Sequence, residues 1–421
     1  MPSPYSLPLH ALRLAGKCAL PLILWFSVGE LARWVVLYIA TEISHGSWWQ
    51  ARLVVTLMLV TVVILISMTV VTGMFLSLRE ALWETQARRQ GPDGQDKEKF
   101  WVSLNRVAPA FAVIYLAWEL YLKDAGDFYS MDRFHNLDDD FYTTILNNIA
   151  KGTNDEVTYG MGLVGLDWKV SLGAMAVVFG LRMLFSRMVE KGSGKFAGVA
   201  SAFAEFAFVF CGLNALFTFT ALRGDWASHR AVVSGATEAW SHAKETVPGW
   251  EAFWNWVGDA WPHVVDGLAV PLTWLAIAVL VFGASVDDTR RALRGTRLEQ
   301  GMDRLEGSHD VTQRAVDRAI GGFMERWVPV VNAFRITFRG GMALFGLMCL
   351  LYVGIHVGVE YLDRSVRWLI GSEIEYMWLF ASKPVVFIGD LLTTCLSYCV
   401  LAAAFDIAAT RARLRGEDIT A

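Results

Sequence analysis

Charge is what this sequence has least of: 19% of its 421 residues are Asp, Glu, Lys or Arg, against an apolar fraction of 54%. A soluble chain carries roughly 25% charge, so the deficit excludes a string of ordinary water-soluble domains and points to lipid. Cysteine is scarce too. All five, Cys18, Cys211, Cys349, Cys395 and Cys399, fall within or at the ends of apolar runs, so none can staple a loop. Cys395 and Cys399 stand one turn apart, where a disulfide along a single helix is geometrically disfavoured. They read as small packing residues.

Catalytic signatures are missing as well. There is no His-Glu-x-x-His, no Cys-x-x-Cys, no Gly-x-Ser-x-Gly, no phosphate loop ending in Gly-Lys-Ser/Thr and no aspartate-rich prenyl-phosphate signature. Hydrolytic and ATP-driven chemistry is therefore disfavoured. Residues 160–165 spell a dinucleotide fingerprint but follow no strand and lack a βαβ setting, so they read as a chance match. Asp138, Asp139 and Asp140 with Asp132 and His135 lack the carboxylate spacing of a calcium loop and read as a hydrated charge run. No segment interleaves basic and aromatic residues in the way nucleic-acid binding requires. Nothing in the residues specifies a cofactor.

What the chain does have is apolar length. Stretches near 18–41, 53–78, 107–122, 168–187, 197–222, 267–286, 340–362 and 384–408 are each read as crossing ~30 Å of hydrocarbon. The expected fold class is all-α: a polytopic membrane helix bundle of about eight transmembrane helices. The second stretch is the cleanest, with no charge between Leu53 and Leu78. The first follows Arg13 and Lys17 as a secretory signal would, yet it runs on past Glu30 and Arg33 to Ala40 without a small-residue cleavage site, so it reads as a retained span.

Basic residues orient the bundle. With eight spans, 25 of the 37 Lys and Arg fall on the side of the two termini, 11 on the other, and Arg33 inside the bilayer. That asymmetry places both termini in the cytoplasm, with the inner arginines facing anionic lipid. The expected location is the plasma (inner) membrane. The high ratio of Arg to Lys suggests a bacterial source with a G+C-rich genome.

The chain reads as one integral membrane domain, 1–421, with three distinctive segments. Residues 123–167 form an acidic outer loop with nine acids against Lys123, Arg133 and Lys151. Residues 223–266 carry Trp226, Trp240, Trp250, Phe253 and Trp254 at helical steps, which suits amphipathic helices at the outer headgroups, with Pro262 ending the last one. Residues 287–339 form a basic cytoplasmic link in which Leu298, Met302 and Leu305, then Val316, Ile320, Phe323 and Trp327, mark amphipathic helices on the inner leaflet or against the bundle. A cytoplasmic link at 79–106 contains a Gly-Pro turn region and reads as a solvated loop. The similarity of 289–295 to 410–416 is better explained by two inner-leaflet ends that both need arginine than by duplication.

Intramembrane ionisable residues cost at least ~2.5–3.5 kcal/mol on insertion scales, so they are the best functional pointers. Glu30 and Arg33 sit three apart on one helix face, as a self-paired bridge or as an ion or proton relay. Glu119, His356, Glu360 and Asp390 are expected at a shared depth in the outer third, where they would line an acidic vestibule that concentrates cations or would each reach separately for the interface. His356, Glu360 and Asp390 are also the weak candidates for metal ligands. Arg182 and Glu205 are expected to pair between neighbouring spans as a structural contact or an inner gate.

The leading expectation is a secondary transporter or channel for a cation or cationic substrate. The alternative is a noncatalytic scaffold or accessory subunit of an envelope complex, binding a protein partner or a second copy of the chain. A lipid-carrier transferase ranks third. The lipid bilayer is the one partner that composition demands.

Overall fold

The computed structural model describes residues 2–44, 48–89, 100–117, 121–152, 167–190, 198–212, 250–282, 341–371 and 375–415. Every regular element among them is helical. After a short turn at Pro4–Ser6 come α1 (Leu7–Ser44), α2 (Trp49–Arg79), α3 (Trp83–Arg89), α4 (Phe100–Ala117), α5 (Tyr121–His135), α6 (Leu137–Lys151) and α7 (Trp168–Glu190). Then follow α8 (Gly198–Gly212), α9 (Trp250–Val264), α10 (Val270–Phe282), α11 (Met342–Ile370) and α12 (Glu375–Leu414).

Five helical stretches are long and apolar enough to cross a membrane: Pro4–Ser44, Gln50–Arg79, Ala252–Phe282, Met342–Ile370 and Ser382–Leu414. The three other expected spans fall on α4, α7 and α8. With 38 and 40 residues, α1 and α12 reach ~57 and ~60 Å at ~1.5 Å per residue. Both exceed the ~30 Å that hydrocarbon requires, so each carries polar turns beyond its apolar run.

Three sequence expectations change. Pro262 does not end its helix: the backbone continues through a five-residue π-helical turn, Val265–Ala269, into α10. The wider turn lets the helix proceed past a residue that cannot donate its own hydrogen bond. The acidic segment is no open loop, because α5 and α6 occupy its first part. Leu137, Phe141, Ile145 and Ile149 recur every fourth residue there, a helical period that the charge density conceals. The link after α2 also begins with structure, the short helix α3. The expected amphipathic link at 287–339 and the outer residues 223–249 lie outside the described residues.

The described chain forms two compact units, one of residues 1–28, 69–114 and 264–421, the other of residues 29–68 and 115–263. In the first unit α12 packs against α10, α11 and α3, and the turn at Pro4–Ser6 packs against α11. Eleven of the twelve α10 residues after Val270, all but Trp274, are buried, as expected of a helix apolar on every side. Phe75 packs edge-to-face on Phe282 and tilted against Tyr398, and Trp274 lies against Phe111 and Tyr398. Arg106 of α4 donates to the carbonyls of Leu280 and Val281 at 3.1 and 3.4 Å, binding acceptors in the last turn of α10. Helices α1 and α2 meet where the Trp25 indole lies over Gly73, at a position where a Cβ would come within 2.4 Å of the ring.

In the second unit Leu37, Ala40, Val60, Val63 and Phe128 form one apolar cluster, and Val178, Ala204 and Ala207 form another. The hydroxyls of α2 are satisfied within the helix: Thr56 and Thr61 donate to the carbonyls of Arg52 and Leu57 one turn earlier. Such back-bonding allows Thr in a helix that water does not reach. Gly152 closes α6 in the left-handed conformation, its N–H donating to the Asn148 carbonyl.

Candidate functional site

The densest charge cluster of the second unit is built around Arg33. Its Nη1 donates to Glu30 Oε1 at 2.8 Å, and its Nη2 donates to Asp124 Oδ1 at 2.5 Å and Asp127 Oδ2 at 3.2 Å. Glu30 is one turn before Arg33 on α1, and Asp124 and Asp127 share a face of α5 for the same reason. The Tyr115 hydroxyl of α4 donates to the other oxygen of Asp124. One guanidinium therefore gathers three carboxylates from two helices.

Burial within the cluster is graded. The Arg33 and Asp124 side chains are 14% and 2% exposed, whereas Glu30 and Asp127 are 38% and 46% exposed. The inner carboxylate is thus screened by two others that reach the protein surface. Burial pushes the Asp124 carboxyl above the usual carboxylate range, outweighing the opposing pull of the Arg33 charge and the Tyr115 hydroxyl. With every group ionised, three acids and one base leave the cluster at −2. It is chemically suited to holding a proton or a cation.

Further polar pairs lock α5 to the same helix. Ser44 Oγ donates to Asp132 Oδ1 at 2.8 Å, Asn136 Nδ2 donates to the same oxygen at 3.0 Å, and His135 lies 3.0 Å from Glu42. Arg33 meets Asp124 and Ser44 meets Asp132, so residue numbers rise together and the two helices run parallel.

The other residues singled out from sequence take several positions. Arg182 Nη2 is 3.7 Å from Glu205, and its guanidinium sits over the Phe208 ring at 5.7 Å. In the first unit His356 Nδ1 donates to the Tyr352 carbonyl at 2.9 Å, a bond within its own helix. Glu360 and Asp390 are exposed. Among the described residues no three His, Cys, Asp or Glu side chains gather as a metal-holding group, His356, Glu360 and Asp390 included. One ring nitrogen of His356 is already committed to its helix, and the two carboxylates stand on exposed surface. Glu119 lies outside the described residues.

Sequence reasoning missed a second polar cluster, in the first unit. Asp406 of α12 is fully buried and accepts from His10 Nε2 at 2.8 Å and from the backbone N–H groups of Trp83 and Glu84 at 2.9 and 2.8 Å. Glu84 in turn lies 3.2 Å from Arg413. Asp406 falls inside the expected eighth span, so its charge was visible there. His10 had no comparable signal, being one histidine in the leucine-rich start of a helix, ahead of the expected first span. No protein family, curated protein or solved structure matches the chain.

Proposed function

We propose that this protein is a multi-pass plasma-membrane protein of a bacterium, a secondary transporter or channel for a cation or cationic substrate, with the Arg33 cluster in its path. Eight spans with both termini cytoplasmic remain our reading of the topology, and the excess of Lys and Arg on one side supports it. The observation that carries the transport reading is the surplus of carboxylate: Glu30, Asp124 and Asp127 surround a single guanidinium, two of them reaching the surface. A structural bridge needs one acid for one base. Three acids leave capacity for an arriving positive charge, which the field of the cluster attracts. Glu119, His356, Glu360 and Asp390 remain candidates for the path on their charge alone, and the Arg182–Glu205 pair is the proposed inner gate.

The test is flux through the full-length protein in proteoliposomes, followed with pH-sensitive and cation-sensitive dyes. Asp124→Asn removes the inner charge while keeping an oxygen for Arg33 and Tyr115, and Glu30→Gln does the same at the surface. Flux is expected to fall by about tenfold or more in the Asp124 variant, in the range of losing one positioned proton carrier. Wild-type flux in both variants removes the cluster from the path.

A scaffold is the second reading, supported by the exposed rings on α9: Phe253, Trp254, Trp256 and Trp261 all face outward. Aromatic residues are enriched at both membrane interfaces and protein contacts. A stoichiometric partner copurifying with the wild type and lost from Trp256→Ala/Trp261→Ala favours this reading over transport.

A further inference from the structure

We infer that His10 and Asp406 form a buried proton-binding dyad that latches the short helix α3 to the start of α1 and the end of α12. Asp406 is fully buried and His10 is 3% exposed. The carboxyl of Asp406 has three partners at once: Oδ2 lies 2.8 Å from His10 Nε2 and accepts from the Trp83 N–H, and Oδ1 accepts from the Glu84 N–H. We take this carboxyl, which two backbone N–H groups already stabilise, as ionised; the hydrogen of the neutral imidazole then sits on Nε2 and the lone pair on Nδ1. That Nδ1 is buried with no partner among the described residues. It is a base whose opposite nitrogen is already oriented by a carboxylate.

A proton from hydronium bonds to the Nδ1 lone pair as the hydronium O–H bond breaks, leaving water. The ring becomes imidazolium, and the Nε2–Oδ2 contact changes from a hydrogen bond to a charged carboxylate into an ion pair. The indole of Trp83 lies stacked on the His10 ring with centroids 3.7 Å apart, where a cationic ring is further stabilised by the π face. Trp83 is also one of the two residues whose backbone Asp406 holds. Tightening on the His10 side therefore bears directly on the first turn of α3.

Further charged groups stand on these elements within about two turns of the dyad or of α3. Glu84 on α3 pairs with Arg413 on α12, Arg411 on α12 donates to the Pro2 carbonyl at 2.8 Å, and Arg13 and Lys17 on α1 are exposed. Thr410, one turn beyond Asp406 on α12, keeps a buried hydroxyl with no partner among the described residues.

Hydrogen exchange at the Trp83 and Glu84 amides of the full-length protein in nanodiscs tests the latch, after correction for intrinsic exchange, from about pH 8 to about pH 5. Protection is expected to rise by about tenfold on the acid side as the bond becomes an ion pair. His10→Gln keeps an amide donor for Asp406 without a titrating group, and its protection is expected to be flat with pH. A wild type without pH response, or an equal response in His10→Gln, overturns the inference. Should His10→Gln fail to fold, ¹⁵N spectra of the wild-type imidazole decide: Nε2 protonated throughout with Nδ1 gaining a proton supports the dyad, and a single protonation state overturns it. The latch does not depend on the transport reading, because loss of flux in Asp124→Asn leaves the exchange response untouched.

Discussion

At the scale of single residues, the molecule pairs its costly charges rather than scattering them. Arg33 shows what that pairing means for stability. Removing it by Arg33→Gln leaves Asp124 buried beside Asp127 and Glu30 with no counter-charge, and breaking a buried ionic group in this way costs about 3–5 kcal/mol. Glu30→Gln, at a partly exposed position, is expected to cost about 0–1 kcal/mol. Apparent unfolding free energies from SDS titration of the purified variants measure the difference, and equal losses would show that Arg33 is solvated from outside the cluster. The pairing of Glu30 with Arg33 was legible from their three-residue spacing. Asp124 and Asp127 were not, because in sequence they are two of nine acids in a segment with no apolar run. Only the position of α5 beside α1 distinguishes them from hydrated neighbours.

At the scale of elements, helix contact is governed by close approach. In hydrocarbon, water supplies little drive for helices to associate, so association rests on packing and on small residues that let backbones near one another. Gly73 provides that opening for Trp25. Gly73→Ala puts a methyl group within 2.4 Å of the indole, and overpacking of this kind costs about 1–3 kcal/mol. Combining it with Trp25→Leu is expected to restore most of the loss, so a thermodynamic cycle over the two positions should show strong coupling; additive losses would mean that α1 and α2 do not meet there. Element existence was readable because apolar length in a membrane chain is unambiguous. Element ends were less so: Pro262 looked like a terminator because proline removes a donor, and the π-helical turn that carries the helix past it leaves no mark in composition. The helices α5 and α6 escaped notice because charge obscured a four-residue apolar period.

At the scale of the whole molecule, topology is the claim that most needs chemical labelling. In the proposed topology of eight spans with both termini cytoplasmic, α6 would lie outside and the end of α12 inside. Ile149 is 75% and Leu414 54% exposed, so Ile149→Cys is expected to react with a membrane-impermeant maleimide in intact cells, and Leu414→Cys only after permeabilisation. The native thiols leave a low background, four being buried and Cys395 half-buried. Reaction of both new cysteines from the same side would contradict the odd number of spans, five of the eight, that this topology places between residues 149 and 414.

The sequence alone determined that this is a helical membrane protein, because twenty successive apolar residues have few other stable environments and a lipid-embedded backbone must bond within its own helix. It also determined the pairings that lie within one helical turn. Beyond one turn, only Arg182 with Glu205 could be expected, from neighbouring spans; His10 with Asp406, and Arg33 with Asp124, are separated by hundreds or scores of residues, have no shared period, and were decided by tertiary structure alone. Their attraction depends on burial, and burial exists only once the helices have packed.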